Sequence, residues 1–298
     1  MLYPRFSRNT RLKTVICEDK IEILDPPSKP QKPKSNLFMK LFPSFGMLIA
    51  AGAMAFMGGT MIIFSLISCT IAIITAVVGV MEGKKEFREK TANRIEVYQK
   101  YIASKRQEIE ECRNREWTER NEIYIPAEQE IQQVETFSPD LFDRTPQDED
   151  FLCVRLGSGP IESARQVNYK KQEKLEIEDD LSLLPEQTAS FYKELQNAPV
   201  ICDLKNVNAV GITGEEADRF ELLKLIVTDV ALRHFAADVK LFFVAEKEHA
   251  GRMHLFRFLP GAYCVQTDTR GIVTDDESKT LIFEYLYKEL TMRAQEKR

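Results

Sequence analysis

The chain has one long apolar stretch, residues 41–81, which contains no Asp, Glu, Lys or Arg. A single membrane-spanning helix needs about 20 apolar residues, and this stretch is about twice as long. Gly58, Gly59 and Thr60 interrupt it near the middle. The pattern therefore predicts two transmembrane helices, 37–57 and 61–81, joined by a tight turn.

Basic residues flank this segment on both sides and are absent from its turn. They are Lys29, Lys32, Lys34 and Lys40 before it, and Lys84, Lys85, Arg88 and Lys90 after it. Because Lys and Arg are retained on the cytoplasmic side of a membrane, we expect a multi-pass protein of the cell membrane with both ends in the cytoplasm. The membrane segment (37–83) has no charged residue within 41–81, which predicts an anchor and an assembly surface rather than an ion path.

Polar sequence lies on either side of the membrane segment. Residues 1–36 are polar and rich in Pro towards their end, and the Pro-rich part 25–33 predicts an extended linker into the membrane. Residues 1–24 contain two short alternating stretches, which are too few to form a core alone. In residues 84–138 the apolar side chains recur at helical spacing, as Ile95, Tyr98, Ile102, Ile109 and Cys112. This spacing predicts a helical stalk that continues the second membrane helix. Pro126 ends the pattern, and a second helix is expected from about 127 to 134.

Residues 139–298 show the texture of an α/β domain. Short apolar runs predict strands at 151–156, 200–204, 208–212, 239–245 and 262–266, with a loop at 157–160. Helical stripes are expected over 215–235 and 277–294. This order predicts a mostly parallel sheet covered by helices. The expected architecture is thus a membrane α-hairpin, a helical stalk and a cytosolic α/β domain.

Composition narrows the functional classes. The formal net charge of -5 argues against a nucleic-acid binder held by phosphate contacts. The six cysteines are scattered and form no CxxC pair, so we interpret them as reduced packing residues in a reducing cytosol.

The most suggestive loop is 210–216, which runs from a predicted strand into a predicted helix as a phosphate-binding loop would. Gly211, Thr213 and Gly214 occupy the degenerate phosphate-loop position, but no Lys or Ser/Thr follows Gly214, and a P-loop requires both. Instead Glu215 and Glu216 suit the positive end of a helix and would repel phosphate. We therefore expect a self-capped helix, with no nucleotide and no catalytic residue in this chain.

Other candidate chemistry is weaker. Glu246, Glu248, His249 and His254 are close in sequence, but their spacing matches no zinc-protease pattern, so no metal site is expected. Ser158 lies in a Gly-rich run without a nucleophile-elbow motif around it.

Several segments together resemble one family, the membrane-bound FtsK/SpoIIIE-type ATPases of type VII secretion systems of the EssC/YukB kind. The most specific part is 141–159, LFDRTPQDEDFLCVRLGSG, which looks like that family's signature with Phe142 in place of the usual Trp. The Arg-rich stretch 3–11, the Lys-flanked helix pair, 199–204, 210–214 and 257–260 follow in family order.

The resemblance implies that the chain is the portion comprising the membrane helices, the stalk and a first, degenerate ATPase-like domain. In the family, motor domains that use ATP and Mg follow this portion. The resemblance then implies a structural component that couples a protein-export channel to those motors. Its expected partners are other copies of itself, membrane subunits of the apparatus, the motor domains and, indirectly, exported proteins.

Two alternatives stay open at the level of sequence. The chain could be an active ATP-binding motor module with an unusual phosphate loop at Gly211–Gly214. It could also be a membrane-tethered regulatory binding module unrelated to secretion.

Overall fold

The structure, a computed structural model, describes residues 11, 14–33, 42, 45–46, 49, 52–53, 61–171 and 179–296. The chain divides into two compact units, each built from separated segments. The first comprises Met1–Glu18, Arg113–Ala164 and Glu194–Arg298, and the second comprises Asp19–Cys112 and Arg165–Lys193.

Six α-helices and eight strands are defined in the described residues. The helices are α1 (Met61–Ile123), α2 (Ala127–Glu135), α3 (Asp180–Phe191), α4 (Glu216–Arg233), α5 (Ala250–Met253) and α6 (Asp276–Gln295). The strands are β1 (Ile21–Glu22), β2 (Cys153–Glu162), β3 (Val167–Asn168), β4 (Glu194–Asp203), β5 (Phe243–Val244), β6 (Tyr263–Cys264), β7 (Thr269–Arg270) and β8 (Ile272–Val273). Short 3₁₀ turns occupy Lys247–His249, His254–Phe258 and Pro260–Ala262.

Helix α1 is a single helix of 63 residues, about 95 Å long at 1.5 Å per residue. The predicted second membrane helix and the predicted stalk therefore form one continuous element. Within the described residues, one helix is long and apolar enough to cross a membrane by length and composition, and its apolar window is 11% buried. Such exposure differs from that of a core helix in a soluble domain, since Ile67, Ile71 and Ile74 all face outwards.

The predicted first membrane helix, 37–57, and the turn at Gly58, Gly59 and Thr60 lie outside the described residues, apart from six positions. Those positions, Phe42, Phe45, Gly46, Ile49, Gly52 and Ala53, are helical and exposed.

The core of the second unit is formed along the predicted stalk stripe. Tyr98, Ile102 and Ile109 are buried, which confirms the helical spacing. They pack with Ile21 and Ile23 of the polar N-terminal segment, which lie in the same cluster.

Hydrogen bonds hold this N-terminal segment along α1. The Tyr98 hydroxyl donates to the carbonyl of Leu24 at 2.8 Å, and Leu24 N–H donates to the Tyr101 hydroxyl at 3.0 Å. Strand β1 pairs in parallel with β3. Ile21 and Ile23 thus belong to a core that residues 1–24 are too short to form by themselves.

The first unit is organised around an antiparallel pair, β2 and β4. The segment 157–160, predicted as a loop, belongs to β2 and pairs with residues 198–200 through two register shifts. Strand β4 begins at Glu194 rather than at 200. The predicted strand at 208–212 is wrong, since these residues form no strand.

The mostly parallel sheet is not observed in the described ranges. Four two-stranded sheets occur instead, and the longest, β2–β4, is antiparallel. The predicted strands at 239–245 and 262–266 shrink to the two-residue strands β5 and β6. Phe243 and Ala262 of these runs are buried with Phe256 of a 3₁₀ turn, whereas Val244 and Val265 are exposed.

The two predicted helices of this unit are confirmed as α4 and α6. Helix α6 begins with a capping box, in which the Asp275 carboxylate accepts from Ser278 N–H at 2.8 Å. The acidic residues at 275–277 therefore cap a helix, as the sequence predicts.

Candidate functional site

Three arginines converge on the C-terminal end of α1. Arg144 Nη2 donates to the carbonyl oxygen of Ile123 at 2.7 Å, and Arg233 Nη2 donates to the same oxygen at 2.9 Å. Arg155 Nη1 donates to the carbonyl of Tyr124 at 2.6 Å. A helix C-terminus carries unsatisfied carbonyls and a partial negative charge, so these cations satisfy it. We call Arg144, Arg155 and Arg233 the arginine clamp.

Arg144 is fully buried and is held from several sides. Its backbone N–H donates to the carbonyl of Arg233 at 3.0 Å, which ties the loop before β2 to the end of α4. Its guanidinium donates to the Asp150 carboxylate and lies over the Tyr124 ring. Burial and the nearby Arg233 lower the pKa of Arg144. The cost of burying this cation is offset by the carboxylate and by the helix-end carbonyl.

Asp150 connects the clamp to the N-terminal segment. Arg11 Nη1 donates to Asp150 Oδ1 at 2.9 Å, and Arg11 Nε lies 3.2 Å from Asp143 Oδ2. Burial opposes ionisation of Asp150, but hydrogen bonds and charges from Arg11 and Arg144 outweigh it and hold its pKa below the ordinary value. The carboxylate is therefore ionised at neutral pH and balances Arg144.

A buried acidic pair lies on the other side of the clamp. Arg155 N–H donates to Asp229 Oδ2 at 2.6 Å, and Arg233 Nε lies 3.4 Å from Glu130 Oε1. Glu130 is 1% exposed. Burial, reinforced by the charge of Asp229, raises its pKa well above the ordinary value. Glu130 thus favours its protonated form beside Asp229, with Arg233 between the pair and the helix end.

His234 follows Arg233 and fixes the end of α4 against β2. Leu152 N–H donates to His234 Nε2 at 2.9 Å, and Nδ1 lies 3.1 Å from the carbonyl of Val230. Because Nε2 accepts, Nδ1 carries the proton and the ring is neutral. Burial lowers the pKa of His234 to about 4. His234 is the C-terminal cap of α4.

Sequence patterns alone did not identify the arginine clamp. Arg144, Asp150 and Arg155 all lie in the segment 141–159 that carries the family resemblance. The available signal was charge within an apolar pattern: Arg155 stands between Val154 and Leu156 in a strand, and Glu130 stands inside a helix. Charged residues in such places are seldom fully buried unless they are paired.

The loop at Gly211, Thr213 and Gly214 differs from the prediction in the segment that precedes it and in the N-terminal cap of the helix that follows it. No strand leads into it, and Gly214 has a φ of +136°. Helix α4 begins at Glu216, and the N-cap residue Glu215 makes no side-chain capping hydrogen bond. The expected self-cap is therefore wrong for Glu215.

The acidic start of α4 is engaged by other side chains. Arg252 Nη1 donates to Glu216 Oε1 at 2.5 Å, and His249 Nδ1 lies 3.7 Å from the same oxygen. An acidic side chain with its own cation thus occupies the positive end of the helix, where a phosphate would have to bind.

The residues weighed for a metal are spread over two elements. His249 ends one 3₁₀ turn and His254 begins the next. In the part of the chain that the structure describes, no group of three or more His, Cys, Asp or Glu could hold a metal ion.

Comparison with known proteins bears on the resemblance. No protein-family model matches the chain. It is 22% identical over 298 residues to the ESX secretion system protein EccC of Geobacillus thermodenitrificans (98% of this chain, 20% of the relative). It is 21% identical over 290 residues to the ESX secretion system protein YukB of Bacillus subtilis (96% and 19%). It is 24% identical over 297 residues to the type VII secretion system protein EssC of Staphylococcus aureus strain MSSA476 (98% and 20%).

These matches run along nearly the whole chain, yet the chain spans only about a fifth of the length of the curated relatives. The similarity therefore extends over the segments of both units rather than over one short motif. Over nearly its whole length the chain is thus similar to proteins named EssC, EccC and YukB of type VII secretion systems, and it spans about one fifth of their length.

Proposed function

We propose that this chain is a membrane-anchored structural component of a type VII protein secretion apparatus, which links the channel to FtsK/SpoIIIE-type motor domains. The relatives named for this system support the apparatus. The coupling role is supported by one arrangement above all: a continuous 63-residue helix whose final carbonyls are held by the arginine clamp.

The clamp suits a coupling role because it resists fraying of the helix end. A free helix end exposes unsatisfied carbonyls and loosens readily. Here the carbonyls of Ile123 and Tyr124 accept from guanidinium groups of a loop, a strand and a helix, of which Arg144 and Arg233 are buried. A displacement of this unit is therefore passed to the last turn of α1 instead of being absorbed by it.

The coupling role is tested by export. In the organism of origin, Arg144→Gln should lower secretion of type VII substrates while the amount of membrane-bound protein is kept. Arg252→Gln is the matched control, because Arg252 is a half-exposed arginine paired with one carboxylate outside the clamp. Equal secretion from both variants and the wild type would overturn the coupling role.

The membrane arrangement belongs to the same proposal: a two-helix anchor in the cell membrane with both ends cytoplasmic. The exposed apolar window of α1 and the basic flanks support it. Green fluorescent protein fused to either end should fluoresce in both cases, since it does not mature after export in the unfolded state. A dark fusion at one end only would indicate a single crossing.

We also propose that the chain binds no nucleotide and acts without ATP and Mg of its own. The lack of a Lys after Gly214 and the Glu216–Arg252 pair support this. Isothermal titration of the full chain in detergent with Mg-ATP should give no heat of binding. Micromolar binding that Gly214→Ala removes would favour the motor alternative.

A further inference from the structure

The N-terminal segment of the second unit runs along α1 in the opposite direction, towards the apolar end of that helix. Beyond β1, Arg94 Nε donates to the carbonyl of Pro27 at 2.6 Å. Further on, a Cβ added at Gly83 would lie 3.6 Å from Cβ of Pro33, so the two backbones are in close proximity there. Residues 27–33 therefore pass α1 from position 94 back to position 83, where its uncharged part has just ended.

Basic side chains are gathered where these two segments meet. Residues 29–33 and 82–90 together contain six basic residues and three acidic ones. Three of the basic residues have carboxylate partners: Lys90 with Glu86 at 2.6 Å, Lys85 with Glu89 at 3.9 Å, and Lys29 with Asp179 at 3.7 Å. The other three, Lys32, Lys84 and Arg88, are exposed, and no carboxylate of the described residues lies within ion-pair distance of them. We call Lys32, Lys84 and Arg88 the basic patch.

The two α1 members of the basic patch repel each other. Lys84 and Arg88 are four residues apart and therefore lie on the same side of the helix, where like charges are destabilising. Glu82, the remaining acid of this stretch, is two residues from Lys84 and lies on the opposite side of the helix. The basic patch thus has no counter-ion within the described part of the second unit and is suited to an external anion.

With α1 anchored as proposed above, the basic patch lies at the depth of lipid headgroups. Residues 61–81 of α1 carry no charge and extend about 31 Å, which matches the ~30 Å hydrocarbon core of a bilayer. The headgroup layer adds roughly 5–8 Å on each side. Lys84 lies about 5 Å and Arg88 about 10 Å beyond Met81 along the helix, and both side chains are long enough to reach back into that layer.

We propose that the basic patch binds the phosphate group of an anionic phospholipid in preference to a zwitterionic one. A zwitterionic headgroup carries its own cation, which Lys84 and Arg88 repel, whereas an anionic headgroup adds a net negative charge. Because Lys32 precedes Pro33, which lies against Gly83, the bound headgroup joins the N-terminal segment to α1. This inference rests on the proposed membrane anchor, and it names the class of lipid that the anchor selects.

Native mass spectrometry of the full chain tests this lipid preference. The chain in a neutral detergent is titrated with dioleoyl phosphatidylglycerol or with dioleoyl phosphatidylcholine, and the dissociation constant of the first bound lipid is measured. The wild type should bind phosphatidylglycerol at least about tenfold more tightly. Lys84→Gln with Arg88→Gln should remove this preference, since each cation near a membrane surface strengthens the binding of anionic lipid about fivefold.

Three other variants test the assignment to these side chains. Lys90→Gln with Lys100→Gln is the matched control, because it removes the same charge from exposed lysines of α1 that are paired with carboxylates at 2.6 and 2.7 Å; the wild-type preference should remain. Lys84→Arg with Arg88→Lys keeps both charges and should also retain it. Lys32→Gln should reduce the preference about fivefold, and an unchanged preference would contradict the joining of the two segments.

Equal affinity of the wild type for the two lipids would overturn the proposal. An equal loss in the matched control would also overturn it, by assigning the preference to net charge. Displacement of bound phosphatidylglycerol by millimolar inorganic phosphate would mean a site for free phosphate instead of a lipid.

The membrane anchor is tested separately, by extraction of the wild-type chain with alkaline carbonate from vesicles of phosphatidylcholine alone. The chain should stay with the vesicles. A chain that resists extraction but shows no lipid preference would retain the anchor and refute the basic patch, whereas extraction would refute the anchor itself.

Discussion

His234 accepts a hydrogen bond from the backbone N–H of Leu152 through Nε2, at 2.9 Å. This bond requires a neutral imidazole, because a protonated ring has no lone pair to offer. It joins the end of α4 to the residue before β2, one residue away from the clamp at Arg233. Acid should therefore act on the first unit through this histidine.

We predict that His234 lowers the stability of the first unit as pH falls below about 6.5, relative to a variant that lacks this histidine. Burial lowers the pKa of folded His234 to about 4, so the unfolded chain binds its proton first, and the contribution of His234 to the free energy of unfolding falls with pH down to about 4. The full effect is about 3 kcal/mol. It is measured by urea unfolding at pH 7 and pH 4.5, followed by the fluorescence of the single tryptophan, Trp117.

Trp117 reports on the right region, because its Nε1 donates to the carbonyl of Asn197 in β4 at 3.0 Å. The control is His234→Gln, whose amide oxygen can accept from Leu152 but does not titrate. A His234→Gln chain with the wild-type change between pH 7 and pH 4.5 would contradict the assignment.

Loss of Arg144 should open the end of α1. Arg144→Gln leaves Asp150 partly unpaired and removes one of the donors to the Ile123 carbonyl, at a cost on the order of 3 kcal/mol. Hydrogen–deuterium exchange of the peptide 113–124 should accelerate, and the urea midpoint should drop. Arg252→Gln should change stability by less than about 1 kcal/mol, since its ion pair is half-exposed; equal losses in the two variants would argue against the clamp.

Glu130→Gln should make the first unit less sensitive to alkali. Burial and then Asp229 raise the pKa of Glu130 above its ordinary value of 4.5, so the folded state holds a proton that the unfolded state releases. The contribution of Glu130 to stability should therefore fall as pH rises above about 4.5, so the difference in the free energy of unfolding between wild type and the amide variant should shift in favour of the variant. Parallel pH profiles for wild type and Glu130→Gln, followed through Trp117, would disprove this.

Gly214 should tolerate no side chain, whereas Gly211 should. Gly214 has a φ of +136°, a conformation available almost only to glycine, so Gly214→Ala should cost about 1–3 kcal/mol. A Cβ at Gly211 would meet nothing within 4 Å, so Gly211→Ala serves as the control and should change stability by less than about 0.5 kcal/mol. Similar unfolding midpoints for the two variants would contradict the backbone assignment.

The elements that sequence predicts well are those defined by local signals. The stripe through Tyr98, Ile102 and Ile109 marks α1, and the Asp275–Ser278 capping box marks the start of α6. Each depends on residues within one or two helical turns. The family resemblance was likewise visible, because it is carried by a run of adjacent residues.

The failures are cases in which a distant partner decides the structure. Residues 157–160 read as a loop because of two glycines and a proline, but pairing with β4 makes them strand. Residues 208–212 are largely apolar, but within the described residues no strand pairs with them, so they form no strand. Ile21 and Ile23 are buried only because α1 lies against them.

The clamp was missed for the same reason. Arg155 is marked in sequence only as a single charge within a strand, and only the fold brings it to one helix end with Arg144 and Arg233. Glu130 would have been placed on a solvated face by its neighbours in sequence, whereas it is 1% exposed.

The spacing of the clamp along the chain has a consequence for biosynthesis. The carbonyls at 123 and 124 emerge first, their donors follow 21 and 31 residues later, and Arg233 follows 110 residues after Ile123. At typical translation speeds the last donor appears roughly 6–22 s after the carbonyl that it binds. The end of the nascent helix is therefore not yet bonded to Arg233 when it leaves the ribosome. The apolar N-terminal part of the helix has that interval to reach the bilayer before Arg233 binds.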